Sequence, residues 1–232
     1  MEQQGSAMSF QYFVYISDAK VDMLVQQIEP GRLNKRSSEA GIDLKLVKAK
    51  RVVDTTAGAE RVGRLQRVIR HLADFGDLGD VDAPGQFFGG MLPLRWGPMV
   101  GRDGYPLAYF GGHTGTTVVG LGGSRTHLVG GSHLPEQDSP SGRSHLPALL
   151  QGLTPPFTGD DEAALVAVAR EDDEAALRRD EEEALTVVHR ATTSLRGPAQ
   201  NMEFVAKRLL HGPGPEGRPV LLGTPLYVAL VD

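Results

Sequence analysis

The chain has 232 residues, of which 40% are hydrophobic and none is cysteine. That length is enough to bury a core without disulfides, and the lack of cysteine excludes thiol nucleophiles, zinc–thiolate sites and iron–sulfur ligation. The net charge is −5, no apolar stretch reaches 18 residues, and the first residues do not form a secretory signal, so we expect a cytoplasmic protein without membrane contact.

Charge is unevenly distributed along the chain. Residues 160–183 hold eleven acidic residues against three arginines, whereas residues 32–70 hold eleven basic residues against four acids. This asymmetry fits a nucleic-acid surface with an acidic interaction arm, or simply two solvated faces that attract each other. Because aromatic residues make up only 6% of the chain and none lies in the basic block, we expect no specific nucleic-acid binding.

The first third of the chain predicts two strands that alternate with two helices. Residues 9–16 are aromatic and β-branched and predict a buried strand, and apolar residues at helical spacing predict a helix over 17–28. Alternating residues predict a second strand at 42–53, and an apolar stripe predicts a helix at 58–75. Residues 1–8 are expected to form a flexible tail.

The glycine-rich middle of the chain predicts short strands joined by tight turns, because glycine supplies the positive φ that such turns require. The strand candidates are 86–95, 107–110 and 116–121. Residues 131–144 are rich in serine, proline and glycine, and we expect them to form a flexible loop.

The last third predicts helices followed by strands. An apolar stripe predicts a long acidic helix over 160–195, with a further helix at 199–210 and two apolar strands at 219–222 and 226–231. Together the elements predict a single α+β domain over 1–232. We expect a mostly antiparallel sheet with helices packed on one face, for which a ferredoxin-like core is a candidate, and a long C-terminal acidic helix beside it.

The first candidate binding motif lies where the first strand runs into the first helix. Side chains at such a junction lie at the carboxyl edge of a sheet, where α/β proteins commonly bind ligands. Asp18 could hold a cation there, and Lys20, beside Ser17, could bind a phosphate. The alternative is that Ser17 and Asp18 only cap the helix.

The second candidate motif is the glycine-rich segment at 120–127. Backbone amides of a turn at Gly122, Gly123 and Ser124 could cradle an anion, with a forked contact from Arg125 and with His127 beside it. The segment matches neither a dinucleotide-binding fingerprint nor a Walker loop. The exit of a hairpin is therefore the alternative.

A third candidate contact is Arg95, which precedes the single tryptophan, Trp96. Together they could stack on a base, although Trp96 could equally serve as an aromatic anchor of the core. Four histidines lie in or beside the glycine-rich region, none at the spacing of a metal site, and no nucleophile elbow is present. We therefore expect no metal and no cofactor.

Five motifs together resemble an uncharacterised family that is common in actinobacteria. They are Tyr-Ile-Ser-x-x-Lys-Val-Asp-Met-Leu at 15–24, Pro-Leu-Arg-Trp-Gly at 93–97, Tyr-Phe-Gly-Gly at 109–112, Gly-Leu-Gly-Gly-Ser-x-x-His at 120–127 and Gly-Thr-Pro-Leu-Tyr-Val-Ala-Leu at 223–230. The resemblance covers nearly the whole chain. It implies an association with caspase-like peptidases and repeat proteins of bacterial conflict systems.

The order of elements is also similar to the palm of nucleotide cyclases. Those enzymes place one metal-binding carboxylate at the end of the first strand, where Asp18 lies here, and another at a later hairpin. The corresponding hairpin, at 110–113, has no carboxylate. Two-metal chemistry needs both, so the resemblance is to a degenerate palm.

These observations predict a non-catalytic component of a bacterial signalling or conflict pathway that senses a ligand or binds a partner. The partner is expected to be another protein or a small anionic ligand. The alternative is an enzyme acting on nucleotides, with its site formed by 17–22 and 120–127. The lack of a complete catalytic constellation favours the first.

Overall fold

The computed structural model describes residues 11–28, 50–100, 106–130, 149–150, 153 and 174–231. Four predicted features lie wholly or partly outside the described residues. They are the tail at 1–8, the strand at 42–49, the loop at 131–144 and the first half of the acidic helix at 160–173.

The described chain forms seven strands and three long helices. The strands are β1 (Tyr12–Ile16), β2 (Leu78–Gly79), β3 (Phe87–Val100), β4 (Pro106–His113), β5 (Val118–Ser124), β6 (Gln200–Pro213) and β7 (Pro219–Leu230). The helices are α1 (Asp18–Ile28), α2 (Lys50–Asp74) and α3 (Glu174–Ser194), with short 3₁₀ turns at Arg125–His127 and Pro215–Gly217. None of these helices is long and apolar enough to cross a membrane.

Five of the strands close into a barrel. The order around the ring is β3, β4, β5, β7 and β6, and β6 returns to pair with β3. The pairing is antiparallel except between β5 and β7, which run parallel. Closure is possible because the 14 residues of β3 serve two partners, Phe87–Leu94 pairing with β6 and Leu94–Val100 with β4.

Two further strands extend this ring at its rim. β1 pairs antiparallel with β7, and β2 pairs parallel with the start of β3. Because β1 leads directly into α1, its pairing with β7 fixes where α1 begins.

The interior of the barrel is an apolar core. Alternate residues of each strand point inward, and their side chains form one buried cluster. The rings of Phe88 and Phe204 meet edge to face with centroids 5.8 Å apart, a favoured geometry for aromatic pairs. Side chains thus fill the barrel.

Helices cover the outside of the barrel on two sides. Val21 of α1 and Leu65 of α2 pack with Tyr227 of β7 in one buried cluster. Val188 of α3 packs with Leu222 of β7 in another. The outward face of β7 therefore takes part in both helix–barrel contacts.

The fold class predicted from the sequence is wrong. We expected a mostly antiparallel, ferredoxin-like sheet with helices on one face, whereas the strands close into a mixed barrel with helices on two sides. The predicted helix at 199–210 is most of β6. In a closed barrel both faces of β6 are buried at Met202, Phe204 and Val205, so the strict alternation that marks a strand is lost.

The long acidic helix predicted over 160–195 is not seen at that length among the described residues. Its described part, α3, covers Glu174–Ser194 and is followed by β6 and β7. Val188, on the predicted apolar stripe, is fully buried. At the other end of the chain, residues 50–53 begin α2, although they were predicted to end a strand.

Gly112 marks a place where two strands approach closely. A Cβ at this position would lie 2.5 Å from the carbonyl oxygen of Pro93 and 2.8 Å from the Leu94 side chain. A backbone carbonyl held in a sheet cannot move aside as a side-chain tip can. Gly97, on the neighbouring strand, instead has open space where its Cβ would be.

We therefore expect Gly112→Ala to destabilise the protein by about 1–3 kcal/mol through overpacking. The matched variant Gly97→Ala should be neutral or slightly stabilising, because it only restricts the unfolded chain. Urea unfolding of the two variants and the wild type tests this. Equal unfolding free energies for the two variants would contradict it.

Candidate anion-binding site at the β1–α1 junction

The fold brings the two predicted binding motifs to one edge of β7. The backbone N–H of Ser17 donates to the carbonyl of Leu226 at 2.8 Å, and Leu121 of β5 pairs with Gly223. Only Thr224 and Pro225 lie between these two points. The ends of β1 and β5 therefore meet beside Thr224 and Pro225.

A bulge in β7 lies at this same place. Pro225 pairs with Ala206 of β6, whereas Tyr227 pairs with Val205, so Leu226 is an extra residue. Proline has no N–H to give to a ladder and is tolerated at bulges. The bulge leaves the carbonyls of Pro225 and Leu226 to accept from the β1–α1 junction.

Ser17 and Asp18 begin α1. The carbonyl of Ser17, a fully buried residue, accepts the N–H of Val21 at 3.0 Å. Asp18 accepts from Nε of Arg61 at 2.8 Å, while a second nitrogen of Arg61 donates to the carbonyl of Ile16 at 3.0 Å. The Asp18 carboxylate thus already has a cationic partner, so it is less available to a metal than the sequence suggested.

Lys20 is the unusual residue of this junction. Its ammonium donates to Ser17 Oγ at 3.3 Å and to the Pro225 carbonyl at 3.4 Å, both long contacts. It forms no ion pair with any described residue, since Asp18 binds Arg61 and Asp22 binds Arg64. Burial lowers the pKa of Lys20 from its ordinary 10.5 to about 8.

The position of Lys20 in the helix makes its positive charge still less favourable. Lys20 lies in the first turn of α1, where the helix dipole is positive and a cation is unfavourable. A desolvated cation without a counter-charge at a positive helix end favours the approach of an anion.

Thr224 supplies a further donor next to Pro225, whose carbonyl accepts from Lys20. It is 8% exposed, and its hydroxyl has no hydrogen-bond partner in the described part of the chain. Because Gly223 lies against the ring of Phe88 inside the barrel, the alternation of the strand turns Thr224 outward, to the side on which α1 lies. A buried hydroxyl without a partner is destabilising unless a ligand or water satisfies it.

The predicted glycines lie within β5 and not in a turn. Gly122 pairs with Tyr109, and Gly123 with Ala108, along the β4–β5 ladder. A Cβ at Gly122 would overlap the side chain of Leu149, and one at Gly123 would overlap the hydroxyl of Tyr15. These glycines permit close packing, so an anion cradle of their amides remains a prediction.

The residues after the glycines form a short capped turn. Ser124 Oγ accepts the N–H of Thr126 at 3.3 Å and bonds the Thr126 hydroxyl at 2.8 Å. Arg125 is exposed, while the ring of His127 meets that of Tyr15 edge to face with centroids 5.7 Å apart. This turn is attached to β1, because Tyr15 also bridges to Leu128.

Arg95 lies on a different part of the barrel. Its Nε donates to the carbonyl of Gly197 at 3.0 Å, just after α3. Trp96 stacks on the buried Phe110 with ring centroids 5.6 Å apart but is itself 37% exposed, so it covers the edge of the core. Neighbouring strand residues face opposite sides, so Arg95 and Trp96 do not form one base-stacking surface.

The described residues bring together Ser17 and Lys20, both predicted from the sequence, at the carbonyl of Pro225, which follows Thr224 in β7. Thr224 was missed because a threonine in an apolar strand carries no distinctive signal, although the Gly-Thr-Pro sequence does mark an irregular strand. Within the described ranges, no three histidine, aspartate or glutamate side chains converge as a metal site. The junction thus offers hydrogen-bond donors and, besides the Arg61 that pairs with Asp18, one positive charge without an acidic partner among the described residues.

Comparison with known proteins assigns a family but no activity. Searches of the curated proteins and of the solved structures found no match. A family model matches residues 11–232, a range that runs from β1 through β7 and includes both sides of the junction. This is consistent with the predicted membership of an uncharacterised family. The chain belongs to DUF7019, a family of unknown function.

Proposed function

We propose that the protein is a non-catalytic binding protein that takes up a small anion at Lys20. The observation that carries this proposal is the half-buried ammonium of Lys20, which has no acidic partner among the described residues. The neutral donors of the proposed site are the hydroxyls of Ser17, which contacts Lys20, and of Thr224, which precedes Pro225. In this proposal the anion is the ligand sensed by a component of a bacterial signalling or conflict pathway, a role that rests on the resemblance of the sequence motifs.

A bound anion would remove three unfavourable features of this junction at once. It would neutralise a desolvated cation, compensate the positive end of α1, and accept from the Thr224 hydroxyl. Proteins tend to violate local rules of stability at functional sites and to compensate elsewhere. The three unfavourable features around Lys20 therefore support a binding role for this junction.

The ion pair of Asp18 with Arg61 favours binding over catalysis. Its carboxylate accepts from Arg61 at 2.8 Å, so its charge is balanced within the protein. The competing function, an enzyme acting on nucleotides, requires turnover. Conversion of a nucleotide by the purified protein, lost in Asp18→Asn or His127→Ala, would contradict the proposal.

Inorganic phosphate is the first probe of this site. We expect phosphate, added at constant ionic strength, to raise the thermal unfolding midpoint of the wild type, because it binds only the folded state. Lys20→Met should weaken phosphate binding at least tenfold, or about 1.4 kcal/mol. The control Arg190→Met removes an exposed charge on α3 and should bind phosphate as the wild type does. An equal phosphate response in Lys20→Met and the wild type would refute a site at Lys20.

The pH dependence of binding provides a second prediction. Above pH 8 the free protein loses the Lys20 proton, and the anion must restore it to bind. The affinity for sulfate, whose charge is constant in this range, should therefore fall by about tenfold per pH unit above pH 8. Calorimetric titration at several pH values measures this. The slope should be absent in Lys20→Met, and a wild-type slope near zero would contradict the role of the ammonium.

The Thr224 hydroxyl provides a third prediction. Thr224→Val keeps the shape of the side chain and removes the unpartnered group, so the ligand-free variant should be more stable by about 1 kcal/mol. The same variant should bind phosphate more weakly. Urea unfolding with and without phosphate separates the two effects. Lower stability without phosphate, or unchanged phosphate affinity, would exclude Thr224 from the site.

A further inference from the structure

A separate pocket opens at the other end of the barrel, beside the β4–β5 and β6–β7 hairpins. It has a volume of about 460 Å³ and is lined by Met91, Leu92, Pro93, His113, Thr114, Gly115 and Arg218. This volume lies within the range of about 300–1,000 Å³ that is typical of small-molecule sites, which often occupy barrel mouths. The pocket shares no residue with the Lys20 site.

One side of the pocket carries an unpaired cation. Arg218 comes directly before β7, and its backbone is held in a tight turn: its N–H donates to Pro215 and its carbonyl accepts from Gly214 at 2.8 Å. Its exposed side chain forms no ion pair or hydrogen bond with any described residue. A guanidinium presented from a fixed backbone is suited to bind a carboxylate or phosphate with two parallel hydrogen bonds.

His113 adds a second polar group. Its Nδ1 lies 2.9 Å from the carbonyl oxygen of Thr114. Because a carbonyl oxygen only accepts, Nδ1 carries a proton, and Nε2 is the ring nitrogen left for a ligand. His113 is exposed at the end of β4, so a ligand in the pocket can reach it.

A network around Asp82 keeps the hairpin wall in place. One oxygen of the Asp82 carboxylate accepts from the hydroxyls of Thr114, Thr116 and Thr117, at 3.2, 2.7 and 2.8 Å. The Thr114 hydroxyl in turn accepts the N–H of Thr117 at 2.9 Å. Hydrogen bonds from Thr116 and Thr117 lower the pKa of Asp82, so its charge is satisfied by hydroxyls and does not pair with Arg218. A wall fixed before binding reduces the entropy that a ligand must lose on the protein.

The opposite side of the pocket is apolar. Met91 is 68% exposed, and Pro93 is exposed beside it on β3. A flexible, polarisable methionine adapts to the surface of an apolar ligand. The pocket therefore pairs an apolar wall with a guanidinium.

We propose that this pocket binds a small organic anion whose carboxylate or phosphate contacts Arg218 and whose apolar body lies on Met91 and Pro93. His113 Nε2 provides the second polar contact. The pocket has one permanent cation among its lining residues, so the ligand carries a single acidic group. This is a second site, and it does not depend on anion binding at Lys20.

Methyl NMR of the full chain tests the proposal with defined probes. The Met91 methyl resonance, assigned with Met91→Leu, should shift on titration with benzoate or phenyl phosphate and stay unchanged with the neutral analogue benzamide. Arg218→Gln should weaken the binding of both anions at least tenfold. The control Arg190→Gln, which removes an exposed arginine elsewhere, should have no effect, and neither should Lys20→Met.

The outcomes separate this site from the proposed function. Loss of the Met91 response in Arg218→Gln but not in Lys20→Met supports the pocket, whatever phosphate does at Lys20. A response to only one of the two anions supports the pocket and identifies its acidic group. No response of Met91 to either anion, an equal response to benzamide, or unchanged affinity in Arg218→Gln would overturn the proposal.

Discussion

Strand β7 is the element on which the rest of the structure depends, because both of its edges are paired. β6 runs along one edge from Pro219 to Leu230, while β5 and β1 share the other edge end to end. All its residues from 220 to 229 are buried. Inward residues of β7 belong to the barrel core, and outward residues belong to both helix–barrel clusters. Three separate apolar cores thus meet on one strand.

The Lys20 site is a consequence of how that second edge is shared. On this edge β5 stops pairing at Gly223 and β1 ends near Leu226, so a short interval of this edge has no strand beside it. The start of α1 fills this interval. A sheet with one continuous neighbour would use the same carbonyls in a ladder, and Lys20 would have nothing to bind there.

Local elements could be predicted from the sequence, but their partners could not. β1 and α1 were predicted within a few residues, because a β-branched run and a helical stripe are properties of neighbouring residues. Barrel closure depends on β3 pairing with β6, more than a hundred residues later, and no local pattern encodes that pairing. β6 was predicted as a helix since burial on both faces removes the alternation that would identify it.

In the candidate sites, too, residues that are close in sequence could be predicted and distant ones could not. Ser17 and Lys20 are close in sequence and were predicted together, whereas Thr224 joins them only through the pairing of β1 with β7. The mouth pocket was missed entirely, because Met91, His113 and Arg218 come from three distant segments. Glycine-rich sequence was misleading in one respect: Gly122 and Gly123 lie in a strand interior, where small size matters more than backbone freedom.

The pairing of the first strand with the last also determines when the chain can fold. Tyr12 pairs with Leu230, so β1 has no strand partner in the described fold until β7 has been synthesised. The parallel neighbour of β5 is also β7, and the ring cannot close without it. Contacts this distant in sequence slow folding, since a long loop must be ordered before they form. During translation the free edge of β5 must therefore wait for β7, and the free edge of β3 must wait for β6.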